Sequence, residues 1–224
     1  MRPRLLPSAL VAGSLLLAAC GSSGSGAATP VTTRPAGTPA DRAIGAAALL
    51  RVVDASGFQQ VATRPAAIGD LVGTAGGVEA CRDYRAGIRS RELTGRAPDL
   101  QRGTTMVDSS VAVYADPATA QQQLALFRAA SMPDCLKGVV RPKGAKVAVT
   151  PVAIDPIGDE AVAYRIAPET RPDGATGIDV IVVRIGRTLI AVDVTGTGAD
   201  AGEVLRTTVA PAVARVRAAE ASGA

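Results

Sequence analysis

A chain of 224 residues with 47% apolar content is long enough for one domain with a substantial core. Its 24 basic and 20 acidic side chains become 22 and 20 once Arg2 and Arg4 are set aside with the N-terminal leader, a balance of about +2 that excludes an electrostatic argument for nucleic acid. Histidine is absent from the sequence, which removes nucleophilic triads of the Ser-His and Cys-His kind and leaves carboxylates, Tyr and Lys as the catalytic repertoire.

Arg2 and Arg4 precede an apolar run at 5–17 that is too short for a permanent membrane span, and Leu17-Ala18-Ala19-Cys20 followed by Gly21 closes it. This lipobox pattern resembles bacterial lipoprotein signal peptides. The resemblance implies removal of residues 1–19 and diacylation of the Cys20 sulfur, which would anchor the mature chain on the extracytoplasmic side of the cell membrane. An ordinary secretory signal with an incidental cysteine is the competing reading; the small-small-Cys run directly after the apolar stretch separates the two. Residues 20–39 are rich in Gly, Ser, Thr and Pro and read as a disordered tether reaching a few nanometres. The remaining segment, 40–219, is expected to form a single extracytoplasmic domain.

Within that domain, 40–53 carries helix formers with a candidate cap at Asp41, while 49–53 is equally compatible with a strand. Ser56-Gly57 interrupts it before a short strand candidate at 58–62, and 65–77 reads as a short helix and a Gly-rich turn. A strand is expected around 87–93. The alternation at 104–114 predicts a second, with Val107, Ser109, Val111 and Val113 on one face and Asp108, Ser110, Ala112 and Tyr114 on the other.

Asp116-Pro117 pairs an N-cap acceptor with proline at the first helical position, where a missing N–H costs nothing. The helix that starts there should turn Ala120, Leu124 and Phe127 to the core and stop at Met132-Pro133, just before Cys135. Four antiparallel strands follow, at 146–154, 160–167, 178–185 and 188–195, separated by turn residues at 155–159, Pro172-Asp173-Gly174 and the two-residue loop Gly186-Arg187. The last helix, 200–219, places Leu205, Val209, Ala212 and Val216 on one face. Pro211 inside it predicts a kink or break near Val209. The sum is α+β: a central antiparallel sheet of five or more strands flanked by two main helices, which should cover the sheet face with the larger apolar set.

Cysteine accounting leaves Cys81 and Cys135 after Cys20 is given to lipid. In an oxidising compartment a disulfide between them is expected, with a metal pair or free thiols as the alternatives. No CxxC occurs, and a zinc site would need carboxylate ligands, so no metal and no cofactor is expected.

Other candidate sites are weak. Asp159-Glu160 on a strand would point to opposite faces and make no acid/base pair, and the simpler reading is a turn residue followed by an exposed strand start. Gly73-Thr74-Ala75-Gly76-Gly77 lacks the Gly-Lys-Ser/Thr ending of a phosphate loop. The arginines Arg82, Arg85, Arg89, Arg91, Arg96 and Arg102 suit an anionic envelope glycolipid or phosphate, or more simply a solvated face in a chain with 21 Arg and only 3 Lys. The few aromatics, Phe58, Tyr84, Tyr114, Phe127 and Tyr164, weaken both nucleic-acid stacking and sugar binding.

Cys81 ahead of a strand, SSVAVYADPATAQQQLALF, the PDCL at 133–136, GDEAVAYR at 158–165 and IDVIVVRIGRTLIAV at 178–192 together resemble actinobacterial lipoproteins of the sensor-like type. They are similar to the extracellular domain of the mycobacterial receptor kinase PknH. Lipoproteins with a Mog1/PsbP-like sandwich share the layout. The first resemblance implies a helix-flanked cleft and a small-ligand role; departures are the single available disulfide and the absence of tryptophan, kinase and transmembrane helix. The expected function is a membrane-anchored, non-enzymatic ligand-binding, sensor-like or accessory domain of the cell envelope. Its partners would be the membrane, a small apolar or anionic envelope ligand, or an envelope protein. A lipid or glycolipid carrier is the alternative, and a carboxylate-based enzyme a second one.

Overall fold

A computed structural model describes residues 37–61, 77–140, 146–169, 177–196 and 201–223. Cys20, the leader, most of the tether, residues 65–76 with the Gly-rich run up to Gly76, and the turn at 172–174 lie outside the described residues.

Eight strands form one antiparallel sheet: β1 (Gln59–Gln60), β2 (Leu93–Arg96), β3 (Leu100–Arg102), β4 (Thr105–Val113), β5 (Val147–Pro151), β6 (Glu160–Pro168), β7 (Gly177–Ile185) and β8 (Thr188–Gly196). The order is β1-β3-β4-β8-β7-β6-β5, and β2 also pairs with β4. β2 and β3 share one side of β4. Between the pairs Arg96↔Ser110 and Leu100↔Val107 four steps on one strand meet three on the other, so the stretch at Ala97-Pro98-Asp99 is a bulge. Pro98 has no N–H for a ladder bond, which is why the interruption falls there.

The helices are α1 (Pro39–Ala48), α2 (Arg82–Gly87), α3 (Pro117–Phe127), α4 (Met132–Val140) and α5, spanning 201–221. They cover both faces of the sheet rather than the single face expected. The reason is in β7, where Val180, Ile181, Val182 and Val183 are consecutively buried, so neighbouring residues on opposite faces both need a partner layer. On one face α1 and α5 pack over Val107, Val111, Ile181, Val183, Ile190 and Val192. On the other, α2, α3 and α4 enclose a second cluster that includes Cys81, Leu124, Leu136, Val180 and Val182.

Several local expectations are corrected. The cap of α1 is Thr38, not Asp41: the Thr38 hydroxyl accepts the Asp41 N–H, and the Asp41 carboxylate accepts back from Thr38 N–H at 2.6 Å, a reciprocal capping box. After α1 the chain makes a single 3-10 turn at Val52–Asp54 instead of a strand. The expected strand at 87–93 is mostly the end of α2 and a connector, with pairing only from Leu93 onward. Asp116 caps α3 as read, accepting Thr119 N–H at 2.7 Å, but α3 ends at Phe127 and Cys135 lies inside a separate helix. There Gly138 admits the close approach of Val78, into which a Cβ would run.

The hairpin loop Gly186-Arg187 has two residues, with Gly186 at φ 49°, in the left-handed region that glycine adopts without penalty. The break near Val209 takes the form of a π-helical turn over Leu205–Val209 just before Pro211. The proline ring would meet the carbonyl four residues back, and the wider turn relieves that contact. Thr207 and Thr208 hydroxyls donate to the carbonyls of Glu203 and Val204 at 2.8 and 2.6 Å, consistent with a loosened ladder.

Candidate functional site

A cleft lies between the sheet and the α2–α3 layer, on the face opposite α1 and α5. Its floor is made low by small residues in register: Ser110 opposite Ala191, itself opposite Val182, and Ala112 opposite Leu189. Tyr84 from α2, Tyr114 just past β4, and Phe127 from the end of α3 form the walls, so three of the five aromatics of the chain meet here. Tyr84 and Phe127 pack edge-on, with centroids 5.1 Å apart. The cavity volume is about 40 Å³ and it is open to solvent on one side. At roughly 10–15 Å³ per water-sized occupant this admits about three such groups.

The surrounding frame is rigidly tied. Cys81 and Cys135 are joined by a disulfide, with Cα atoms 4.7 Å apart, linking the start of α2 to α4. Tyr164 Oη donates to the Phe127 carbonyl at 2.6 Å, satisfying a terminal carbonyl of α3. One turn earlier on the same helix, Gln123 is 1% exposed; its Oε1 accepts Arg89 N–H at 3.0 Å, which fixes the amide orientation and leaves Nε2 without a partner among the described residues.

Arg91 enters the cleft from the connector between α2 and β2 and lies against the Tyr114 hydroxyl. Burial pushes the Tyr114 phenol above its ordinary range, and the Arg91 charge and hydrogen bond oppose that shift without cancelling it. Beyond Ser110 on the same sheet face, Asp108 stands directly opposite Asp193, with Arg96 at 3.7 Å from Asp108 and 3.6 Å from Asp99. Arg96 offsets the repulsion that two facing carboxylates bring.

The arginines that cluster in sequence do not form one face. Arg82 is exposed and pairs with Glu79 and Asp83; Arg85 donates to the Val78 carbonyl; Arg102 stacks 4.6 Å over the Phe58 ring and pairs with Glu203; Arg89 stays exposed. Only Arg91 lines the cleft.

Asp159 is a turn residue and Glu160 opens a strand, as read, but their side chains do not point apart. Asp159 precedes β6, and both carboxylates converge on Arg184, with further bonds to Gly186 N–H for Asp159 and to Arg128 for Glu160. Each carboxylate is thus engaged by guanidinium, and burial of Glu160 is outweighed by Arg128 and Arg184, which hold it below the usual range. Elsewhere Asp179 takes a two-pronged contact from Arg165 at 2.7 and 2.9 Å. Among the described residues no group of three or more Cys, Asp or Glu side chains is arranged to hold a metal, and no helix is long and apolar enough to cross a membrane.

A larger opening of about 400 Å³ between α4 and β5 is bordered by Asp134, Lys137, Lys146 and Glu169. Its mixed charges do not suit an acyl chain. A third cleft, of about 110 Å³, sits beside the π-helical turn, lined by Ile157, Leu205 and Ala210 among others.

No family model matches the sequence, and no curated protein matches it. Among solved structures the chain is similar to the crystal structure of the extracellular domain of PknH from Mycobacterium tuberculosis, at 12% identity over 77% of this chain and 94% of that one, with a TM-score of 0.47.

Proposed function

We propose that the protein is a membrane-anchored, extracytoplasmic domain that binds a small ligand without transforming it, in the manner of a sensor-like or accessory lipoprotein. The observation that carries this reading is the cleft over Ser110, Ala112 and Ala191: a recess with aromatic walls and one cation, set in a frame closed by a disulfide. The lipobox at Cys20 and the oxidised pair Cys81–Cys135 support the address. The non-enzymatic part rests on the carboxylates: Asp41, Asp54, Asp159, Glu160 and Asp179 are each committed to an arginine, and no pair of them faces the cleft. Proton transfer needs a group free to change charge, and these are held by partners.

A lipid carrier is less well supported. Sites for drug-sized ligands run to roughly 300–1,000 Å³ and are largely apolar, whereas the aromatic cleft is about 40 Å³ and the cleft at the π-helical turn about 110 Å³.

Two measurements test the proposal. Mass spectrometry of the mature N-terminal peptide should find Cys20 as the first residue and carrying a diacylglyceryl group; an unmodified Cys20 sulfur would refute the anchor. Native mass spectrometry of protein purified from its own envelope should show a small co-purifying molecule that is lost when Ala191→Phe fills the cleft floor. An unchanged adduct in that variant would remove the cleft from the account.

A further inference from the structure

We infer that the cleft recognises the carboxylate end of a small aliphatic acid, with Arg91 as the recognising cation. This rests on the reading of the cleft as a ligand site and names the chemistry it would take.

The first observation is charge. Arg96, Arg184, Arg187 and Arg215 are half-buried like Arg91, and each forms an ion pair with an aspartate or glutamate; among the described residues Arg91 forms none. The planar fork of Arg91 can take a carboxylate through two parallel N–H···O bonds. The second is the set of donors around it. Tyr114 and Ser110 line the cleft together with Arg91, and both carry a hydroxyl. Both can donate to an oxyanion.

The third is the rest of the lining. Ala112, Val182, Leu189 and Ala191 give an apolar floor, which suits a short alkyl group and not a second charge. A volume of about 40 Å³ restricts the buried part of the ligand to a few heavy atoms. Phosphate fits this less well: one cation cannot balance a dianion, and the carboxylates of Asp108 and Asp193 lie one pair further along β4 and β8 on the same face. Such a carboxylate could belong to a free short-chain acid or to the terminus of a larger envelope molecule whose remainder stays in solvent.

The test is an NMR titration of the full chain carrying Cys20→Ser with butyrate, its neutral isostere butyramide, and N-acetylalanine as a chain-terminal carboxylate. Butyrate should produce saturable shifts at Ala112, Leu189 and Ala191, butyramide should bind roughly tenfold more weakly or worse, and Arg91→Gln should lose a similar factor while keeping a folded spectrum. Tighter binding of N-acetylalanine than of butyrate would assign the carboxylate to a chain terminus; the reverse would assign it to a free acid. Arg91→Lys, which keeps the charge without the fork, should retain part of the affinity and serves if Arg91→Gln does not fold. Equal binding of butyrate and butyramide, or an Arg91→Gln variant that binds butyrate unchanged, would overturn carboxylate recognition and leave the cleft as a binding site. No shift with any of the three would overturn it too, while the co-purified ligand lost on Ala191→Phe would still stand.

Discussion

Arg187 Nη1 donates to Asp41 Oδ1 at 2.6 Å and to the Tyr114 carbonyl at 3.0 Å, so one side chain on the β7–β8 turn fastens the cap of α1 to the end of β4. Burial works against ionisation of Asp41, but the Thr38 hydroxyl and N–H together with Arg187 outweigh it and hold the carboxyl below its ordinary range.

A depressed native pKa means stability that is present above the unfolded value, near ~4, and is lost as pH falls through the native value. Asp41→Ala should cost about 2–3 kcal/mol at neutral pH, because it removes a capping acceptor and strands Arg187. It should also flatten the acid limb of a stability-versus-pH curve measured by urea unfolding. An unchanged acid limb would remove Asp41 from the acid response.

Arg215 closes the other end of the same helix. Its Nε donates to the Ala47 carbonyl at 3.1 Å, Nη2 to the Leu49 carbonyl at 2.9 Å and Nη1 to Asp54 at 2.6 Å. Arg215→Ala should cost about 3 kcal/mol, and Arg215→Lys should recover less than half, since an ammonium cannot span three acceptors in one plane. Equal stability of the Lys variant and the parent would mean that charge alone suffices.

The disulfide closes a span of 54 residues. The chain-entropy estimate for such a loop is about 4 kcal/mol, so reduction, or Cys81→Ser with Cys135→Ser, should lower the urea midpoint by an amount of that order. Thiol alkylation without reductant should label neither residue. Full labelling of both would contradict the bridge.

Glu220 sits against the Gly186-Arg187 turn, and burial, aided by Asp159, raises its carboxyl despite the Arg187 N–H and the Arg187 and Arg184 charges. Here the sign reverses: a raised native pKa gives stability below the unfolded value that is lost as pH rises through the native one. Glu220→Gln should therefore be neutral or slightly stabilising at pH 7, by less than ~1 kcal/mol, and should show no gain at pH 4. A clear loss at pH 7 would mean that the ionised carboxylate is needed.

Tyr114 gives an alkaline counterpart. Its raised pKa means that the stability it confers is complete below pH ~10 and is lost as pH rises beyond that. Tyr114→Phe should flatten the alkaline limb, and Arg91→Gln should raise the Tyr114 pKa further by removing the opposing charge, which ultraviolet difference titration would read. A fall in that pKa would place Arg91 away from the hydroxyl.

Much of the architecture was legible because it is encoded locally. Asp116-Pro117, Gly186-Arg187 and Pro211 each act through their own backbone chemistry, and each marks its cap, turn or break in the structure. The alternation of Val107, Ser109, Val111 and Val113 likewise placed β4. What could not be read depends on tertiary context. The stretch before Leu93 has no strong period, and the disulfide and the contact with α3 hold its first part as helix α2. The cleft is hidden for the same reason: Tyr84, Tyr114 and Phe127 come from three elements, and nothing in their spacing shows that they share one wall. Arg91 is one of six similar arginines in one stretch of the sequence, and only the fold shows that it is the one that lines the cleft.

Binding at the cleft between the sheet and α2–α3 is tested most directly by an amide and methyl shift map of the folded protein with a small-molecule extract of its own envelope. Shifts should concentrate at Tyr84, Arg91, Ser110, Ala112, Phe127 and Leu189 and disappear in Ala191→Phe. Shifts confined to other surfaces, or a pattern unaltered by Ala191→Phe, would contradict it.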